Sequence, residues 1–176
     1  MNQQLQTLVD DIYKLNIEFR TIAGLKLKQS LGKPASDAQI NALEAHLQVK
    51  LPPSYRGLLG ICNGWMYYSG NLHLLSVEQQ IKGEYERYIH QWKGEQWAAG
   101  EPLPVEAIVF GIWLDTNKTR LFDPDTADKA NEMEAIWWDD GELHRYSNLI
   151  ELLEADKRTL KFLINRKRRQ KRRQKR

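Results

Sequence analysis

The stretch that decides the fold is PASDAQINALEAHLQVKLPPSYRGLLGICNGW, which covers residues 34–65. Its first half predicts a helix over about 37–47, because apolar residues recur there at helical spacing. Ser36, with Gln39 three residues later, forms a capping box that marks where this helix begins. The segment therefore opens with a well-defined amphipathic helix.

The second half of the same stretch predicts a proline hinge and a second helix. Pro52 and Pro53 favour an extended entry followed by a helix start. Apolar residues then lie on one face of a short helix, which ends at Asn63-Gly64 because both residue types tolerate the left-handed conformation. Residues 37–64 are thus predicted to form helix, hinge, helix and stop.

The rest of the chain changes from helical periodicity to strand periodicity. Residues 3–22 are predicted to be helical, and so are the segments that follow Ser76 and Ser147. Residues 93–104 contain glycines and prolines and predict a loop. Helices, then hairpin-linked strands, then a helix indicate a single α+β domain, in which N-terminal helices and a C-terminal helix pack on a mainly antiparallel sheet. Strands are predicted at residues 65–68, 72–75, 107–114, 119–122, 135–138 and 143–146.

Charge divides the chain into two parts. Residues 166–176, which include KRRQKRRQKR, contain nine Lys or Arg and no Asp or Glu. The remaining residues hold 17 basic and 23 acidic side chains, a net charge of −6. We therefore predict an acidic domain over residues 1–165 and a basic low-complexity tail over residues 166–176.

Several features favour a cytoplasmic protein. The single cysteine, Cys62, allows no internal disulfide, as is usual in a reducing compartment. The N-terminal residues lack the basic and apolar regions of a signal peptide. No apolar run approaches the roughly 20 residues that a membrane span needs.

The opening stretch resembles the SUKH superfamily, which includes fungal cell-wall-synthesis regulators and bacterial toxin-immunity proteins. The resemblance rests on the pattern I-x-x-L-E-x-x-L, then L-P-x-x-Y-R-x-x-L, then Asn-Gly. Phe110-Gly111, Phe122-Asp123 and the segment 138–142 also stand where the family has similar residues, so the resemblance covers about 34–155. The residues that match the leading pattern, for which we expect a structural role, are Ile40, Leu43, Glu44, Leu47, Leu51, Pro52, Tyr55, Arg56, Leu59, Asn63 and Gly64.

The chain departs from the family pattern at two places. Trp65 stands where the family commonly has a second glycine, and the basic tail has no counterpart in the pattern. The resemblance implies a binding protein that is not an enzyme. In bacteria such proteins bind a cognate toxin, and in fungi they act as regulatory scaffolds.

The residues themselves offer little for catalysis. None of the four histidines stands at a recognisable metal-ligand spacing from another ligand. Cys62 lies in an apolar helical stripe, which predicts a buried, unreactive thiol. The glycines do not form a phosphate-binding loop. We therefore expect no catalytic residue, no metal site and no cofactor.

Acidic turns and tryptophans are the candidate partner-binding residues. Each acidic residue fits a turn or a strand end, but together they would form a negative surface that attracts a basic partner such as a nuclease toxin. Trp137 and Trp138 are adjacent on a strand and must point to opposite faces. Each candidate tryptophan is either packed in the core or exposed as a binding anchor. The candidates are Trp65, Trp113, Asp115, Asp123, Asp125, Trp138, Asp139, Asp140 and Glu142.

The basic tail supports an alternative function in which the protein contacts nucleic acid. Clustered cations bind phosphates without sequence specificity. Against this, the domain is acidic and the tail holds no aromatic residue on which a base stacks. The tail is also compatible with a solvated extension or with a continuation of the last helix. The candidate contact residues are Arg166, Lys167, Arg168, Arg169, Lys171, Arg172 and Arg173.

Overall fold

The computed structural model describes residues 2–26, 28–139 and 142–174, with the side chains of all but Asn2, Glu142, Leu143 and Gln174. In this part of the chain there are six α-helices and one short 3₁₀ turn, Pro124–Thr126. The helices are α1 (Asn2–Ala23), α2 (Asp37–Leu47), α3 (Pro53–Ile61), α4 (Val77–Ile81), α5 (Glu84–Ala98) and α6 (Leu149–Gln174). The strands are β1 (Ser30–Leu31), β2 (Trp65–Ser69), β3 (Leu72–Leu74), β4 (Ile108–Trp113), β5 (Thr119–Asp123), β6 (Glu134–Trp138) and β7 (Glu142–Tyr146).

The strands form a single meander. Within the described residues, all seven lie in one sheet in chain order, β1 to β7, and each neighbouring pair is antiparallel. Helices α2 and α3 connect β1 to β2, and α4 and α5 connect β3 to β4. The α+β class and the antiparallel sheet are therefore as the sequence predicts.

Helices cover both faces of the sheet. One core contains apolar residues of α1, α2, α3 and α6 packed on Phe110 and Phe122. A second core, on the opposite face, contains Trp92 of α5 packed with Leu121, Ile136 and Trp138. The central strands are thus buried on both sides. This explains why apolar residues lie on both of their faces and do not alternate with polar ones.

The segment after Ser76 differs from the single helix and following loop that the sequence predicts. Gly83 adopts φ +98°, a conformation that favours glycine, and it separates α4 from α5. Helix α5 then runs through Gly94 to Ala98, where we expected a loop. Packing overrides the weak helix preference of glycine there, because Gln96 is buried and its Oε1 accepts a 3.0 Å hydrogen bond from Trp138 Nε1.

The last helix begins one residue later than predicted and continues into the basic tail. Its N-cap is Asn148, whose Oδ1 accepts from the backbone N–H of Glu151 at 3.0 Å, rather than Ser147. Ser147 instead donates to the Glu151 carboxylate. The helix has no break at the predicted boundary between residues 165 and 166 and extends to Gln174. Of the alternatives for the tail, the structure therefore shows a continued helix.

The contacts of Glu44 account for its spacing from Leu51 and Arg56 in the opening stretch. This buried residue of α2 accepts hydrogen bonds from the Leu51 backbone N–H at 2.9 Å, from Lys50 Nζ at 3.0 Å and from Arg56 Nη1 at 2.8 Å. Burial by itself would raise the pKa of Glu44, but these donors outweigh it and lower the pKa below its ordinary value. The carboxylate thereby joins α2, the proline hinge and α3.

Tyr55 and Asn63 anchor the second half of the stretch. The Tyr55 ring packs against both Phe110 and Phe122, with ring centroids 5.5 and 5.1 Å away, and its hydroxyl accepts from Gln80 Nε2 at 2.8 Å. Asn63 does more than end α3, because its Oδ1 accepts from the Val77 backbone N–H at 2.7 Å. Tyr55 thus packs α3 on the sheet, and Asn63 connects the end of α3 to the start of α4.

Two other expectations concern burial and membrane spans. Cys62 is buried, as predicted, and burial raises the pKa of its thiol to about 12. None of the helices in the described part of the chain combines the length and the apolar character needed to cross a bilayer.

Candidate partner-binding cleft

The predicted acidic residues lie at two opposite ends of the sheet. Asp115 and Asp139 lie in the turns that follow β4 and β6, at one end. Asp123 is the last residue of β5 and Asp125 lies in the 3₁₀ turn that follows it, at the other end. Asp140 and the side chain of Glu142 lie outside the described residues. The single negative surface that the sequence suggests is therefore divided.

Ion pairs reduce the negative charge further. Lys118 Nζ pairs with the Asp139 carboxylate. Asp123 is buried, pairs with Arg145 at 3.2 Å and accepts from the Asp125 backbone N–H at 3.2 Å. Its role is to hold the end of β5. Asp115 and Asp125 remain exposed.

Trp65 and Trp138 are buried, so of the two alternatives for each residue the structure shows core packing and not an exposed anchor. Their side chains are 1% and 0% exposed. Trp65 Nε1 donates to Gln29 Oε1 at 3.0 Å, and Trp138 enters the core beneath α5. Trp138 does point away from Trp137, as strand geometry requires, but α5 covers the face that it enters.

Trp113 and Trp137 form a stacked pair on the α1 and α6 face of the sheet. They lie on β4 and β6, with β5 between them, and their ring centroids are 5.8 Å apart at an interplanar angle of 13°. Both are half-buried. The row continues to His144, 6.0 Å from Trp137, and then to Tyr146 on the edge strand.

A cleft of about 460 Å³ opens in front of this pair. Its walls come from the end of α1, the turn at residues 70–71 and the turn at residues 115–118. Asn71 Nδ2 donates to Asp115 Oδ2 at 2.7 Å and ties the two turns together. We call this site the tryptophan cleft; the residues that matter below are Arg20, Lys26, Trp113, Asp115, Lys118 and Trp137.

A buried ionic network supports the tryptophan cleft. Arg120 is 4% exposed and makes two hydrogen bonds with Asp156, at 2.5 and 2.8 Å. Tyr68 donates to the same carboxylate at 2.6 Å, and the Arg120 guanidinium carbon lies 5.7 Å from the Trp113 ring centroid. Burial alone would lower the pKa of Arg120, but the Asp156 charge raises it above the ordinary value. A fixed cation is thus held against the ring of Trp113, which lines the cleft.

The cleft combines an apolar surface with charges of both signs at its margin. Lys26 and Lys118 contribute cations at the margin, Arg20 contributes a buried one, and Asp115 contributes a carboxylate. The Arg20 guanidinium donates to the Tyr67 carbonyl, which orients it. The described residues contain no group of three or more His, Cys, Asp or Glu that could hold a metal ion. An aromatic centre with a polar margin is the usual composition of a protein-binding hot spot.

Sequence reasoning selected Trp113, Asp115 and Asp139 at this end of the sheet but missed several neighbours. Trp138 was predicted as a binding residue and Trp137 was not. Because β6 is apolar on both faces, its sequence does not indicate which face a helix covers. Sequence reasoning also missed Arg20, Lys118 and Asn71. Only Lys118 had a detectable signal, since it lies in the same predicted turn as Asp115.

A further exposed tryptophan lies far from the cleft in the fold. Trp97, near the end of α5, is 45% exposed, and its Nε1 donates to the Leu103 carbonyl at 3.4 Å. It lies on the helix that covers the opposite sheet face from the Trp113–Trp137 pair. It therefore provides a matched tryptophan for tests of the cleft.

Comparison with known proteins places the chain in a family. The model of the SMI1 / KNR4 family (SUKH-1) matches residues 34–155, which include the Glu44 and Asn63 contacts and both tryptophans of the cleft. No curated protein matches the chain in a sequence comparison. The match covers more than half of the chain and the whole sheet from β2 to β7. The chain therefore belongs to the SMI1 / KNR4 family (SUKH-1).

Proposed function

We propose that this chain is an immunity protein that binds and neutralises a cognate bacterial toxin in the cytoplasm, and that the tryptophan cleft is the centre of its binding face. The family includes toxin-immunity domains as well as regulatory ones, so membership supports the proposal. The observation that carries it is the stacked, half-exposed pair of Trp113 and Trp137 above the Arg120–Asp156 network. Neutralisation in this proposal is by steric exclusion and requires no catalytic group.

The stacked tryptophans are preorganised for binding, which supports this function. Stacked indoles offer a large rigid surface and lose little side-chain entropy when a partner covers them. The network under Trp113 holds that surface in place before the partner arrives. Charges at the margin, such as Lys118 and Asp115, add specificity more than affinity.

The partner is proposed to be basic, although the acidic turns do not form one patch. Residues 1–165 still carry a net charge of −6. Away from the basic extension of α6, a field of this sign speeds the approach of a cationic protein over distances comparable to the Debye length of about 8 Å. Nuclease toxins fit this description, since they bind phosphates with basic surfaces.

The test uses the toxin-like product of the gene adjacent to the one encoding this chain. Co-expression of the full chain is expected to restore growth of cells that produce that toxin, and the two purified proteins should form a stable complex. Trp113→Ala and Trp137→Ala should each weaken the complex by about 2 kcal/mol, or roughly 30-fold. Trp97→Ala, the matched control, should bind like the unmodified chain.

Two results would contradict different parts of the proposal. If the unmodified chain neither binds nor protects against the toxin, the immunity function is wrong. If it protects, but the two cleft variants bind as tightly as Trp97→Ala, the function stands and the cleft is not the binding face.

A further inference from the structure

The extension of α6 has two chemically different faces. Ile164 is the last buried residue among the described side chains of the helix, and Arg168 beyond it pairs with Glu18 of α1 at 2.6 Å. Lys171 and Arg172 lie on the same side, near the end of α1. The opposite face carries Phe162, Arg166, Arg169 and Arg173, which are exposed and spaced four, three and four residues apart.

We propose that this second face, the α6 stripe (Phe162, Arg166, Arg169 and Arg173), binds single-stranded nucleic acid, with Phe162 stacked on an unpaired base and the three arginines on successive phosphates. Phe162 is the element that sequence reasoning missed. It precedes the basic tail, but the continuous helix places it in line with the tail arginines. At 63% exposure its ring is available for stacking.

The length of the α6 stripe suits a short segment of single-stranded nucleic acid. From Phe162 to Arg173 the helix rises about 16 Å, at 1.5 Å per residue. A stacked strand advances about 3.4 Å per nucleotide, so the stripe spans roughly five nucleotides. Three arginines and one aromatic ring over that length give both a backbone contact and a base contact.

The acidic domain opposes this binding less than its net charge suggests. Two carboxylates of α1 that face α6 are already paired. Glu18 pairs with Arg168, and Asp11 pairs with Lys157 at 2.7 Å. Among the described residues, no ion pair involves Arg166, Arg169 or Arg173, so these guanidinium groups face solvent with their charge uncompensated.

Composition favours nucleic acid over a lipid surface. An interfacial membrane helix needs a broad apolar face. The stripe has one apolar residue, and Asn165 and Gln170 flank its arginines. Cations beside an exposed aromatic ring are instead the combination that single-strand binding uses.

The experiment measures fluorescence anisotropy of the full chain with labelled 12-nucleotide RNA and DNA single strands and with a 12-base-pair duplex. Binding to single strands is expected to weaken about 20-fold between 50 and 200 mM salt, for three phosphate contacts. A preference for RNA or for DNA identifies the source of the strand and supports the proposal in either case. Tighter binding to the duplex than to either single strand overturns it.

Matched variants separate the stripe from net charge. Arg166→Gln/Arg169→Gln/Arg173→Gln removes three charges from the stripe, and Arg168→Gln/Lys171→Gln/Arg172→Gln removes three from the other face. The first triple variant should lose about 10-fold more affinity than the second. Equal losses would mean that charge alone binds the strand and would overturn the stripe as a site.

A second pair of variants tests stacking. Phe162→Ala should weaken single-strand binding at least about 5-fold, whereas Phe162→Trp should retain it. Unchanged affinity in Phe162→Ala would overturn the stacking role. Binding to vesicles of 70% phosphatidylcholine and 30% phosphatidylglycerol that exceeds binding to single strands would assign the stripe to membranes and overturn the proposal. Circular dichroism verifies that the variants keep their helices.

Discussion

The Glu44 carboxylate lies in the protein interior with the Arg56 guanidinium 2.8 Å away, although the two residues are on different helices. Glu44 also accepts from the Leu51 backbone N–H, in the hinge between those helices. The family pattern therefore places a charge in α2, a donor in the hinge and a counter-charge in α3. A buried charge with this many donors is stabilising only while all of them remain.

Removal of that charge should destabilise the fold. In Glu44→Gln the side chain loses its ion pair with Arg56, which stays partly buried. We expect a loss of about 2–3 kcal/mol in the free energy of unfolding, measured by urea titration at pH 7. Glu106→Gln, at an exposed glutamate, is the control and should change the same quantity by less than about 0.5 kcal/mol.

The same residue predicts a pH dependence. The pKa of Glu44 in the folded state lies below its ordinary value of 4.5. Its contribution is therefore complete above pH 4.5 and is lost as the pH falls through the folded-state pKa. The stabilities of the unmodified chain and Glu44→Gln should differ at pH 7 and converge in acid. A constant difference from pH 7 to pH 3 would contradict this assignment.

Gly32 tolerates no side chain, because the backbone of Asn63, 31 residues later in the sequence, lies against it. A Cβ at this position would stand 2.0 Å from the Asn63 carbonyl oxygen, and the Gly32 N–H donates to the Gly64 carbonyl at 2.9 Å. Gly32→Ala should cost at least about 2 kcal/mol in thermal or urea unfolding. Gly60→Ala, in α3 with no atom within 4 Å of the added carbon, should instead stabilise by about 0.5–1 kcal/mol. Equal effects of the two changes would be inconsistent with the close approach at Gly32.

Asp156 neutralises the buried Arg120 charge beneath the tryptophan cleft. Asp156→Asn should lower the free energy of unfolding by about 3 kcal/mol, because Arg120 would keep a buried charge without its counter-ion. Asp11→Asn breaks the more exposed pair with Lys157 and should cost much less, because solvent screens that pair. Thermal unfolding of both variants makes the comparison. Similar losses would show that the Arg120 network contributes no more than a surface pair.

Local sequence was sufficient where local interactions decide the structure. The helix at 37–47 and its Ser36–Gln39 capping box were predicted from neighbours within a few residues, and both are present. Helix α3 ends at Ile61, close to the predicted Asn63-Gly64 stop, although Cys62 is extended and of the two stop residues only Gly64 has a positive φ. Predictions from local sequence were wrong where contacts with residues distant in the sequence decide the structure. They placed a loop at 93–104, and α5 passes through Gly94 because Gln96 and Trp92 are buried against the sheet.

The site was less predictable than the fold. Trp113, Asp115 and Asp139 were selected as surface residues, and the structure brings them to one end of the sheet. Their common neighbour, Trp137, was missed because both faces of β6 are apolar. Asp123 was grouped with them by composition, but antiparallel pairing places it at the opposite end. Strand direction, and not residue type, decides which turns meet.

The sequence by itself determined the α+β class, the family pattern around Glu44 and Asn63 and the separation of an acidic domain from a basic end. These depend on periodicity, capping and charge, which are properties of short segments. Only the tertiary structure decided that Trp137 stacks on Trp113 while Trp138 is buried, and that Phe162 lies in line with Arg166, Arg169 and Arg173. Both outcomes depend on which face of a strand or helix is covered, and packing between distant segments sets that.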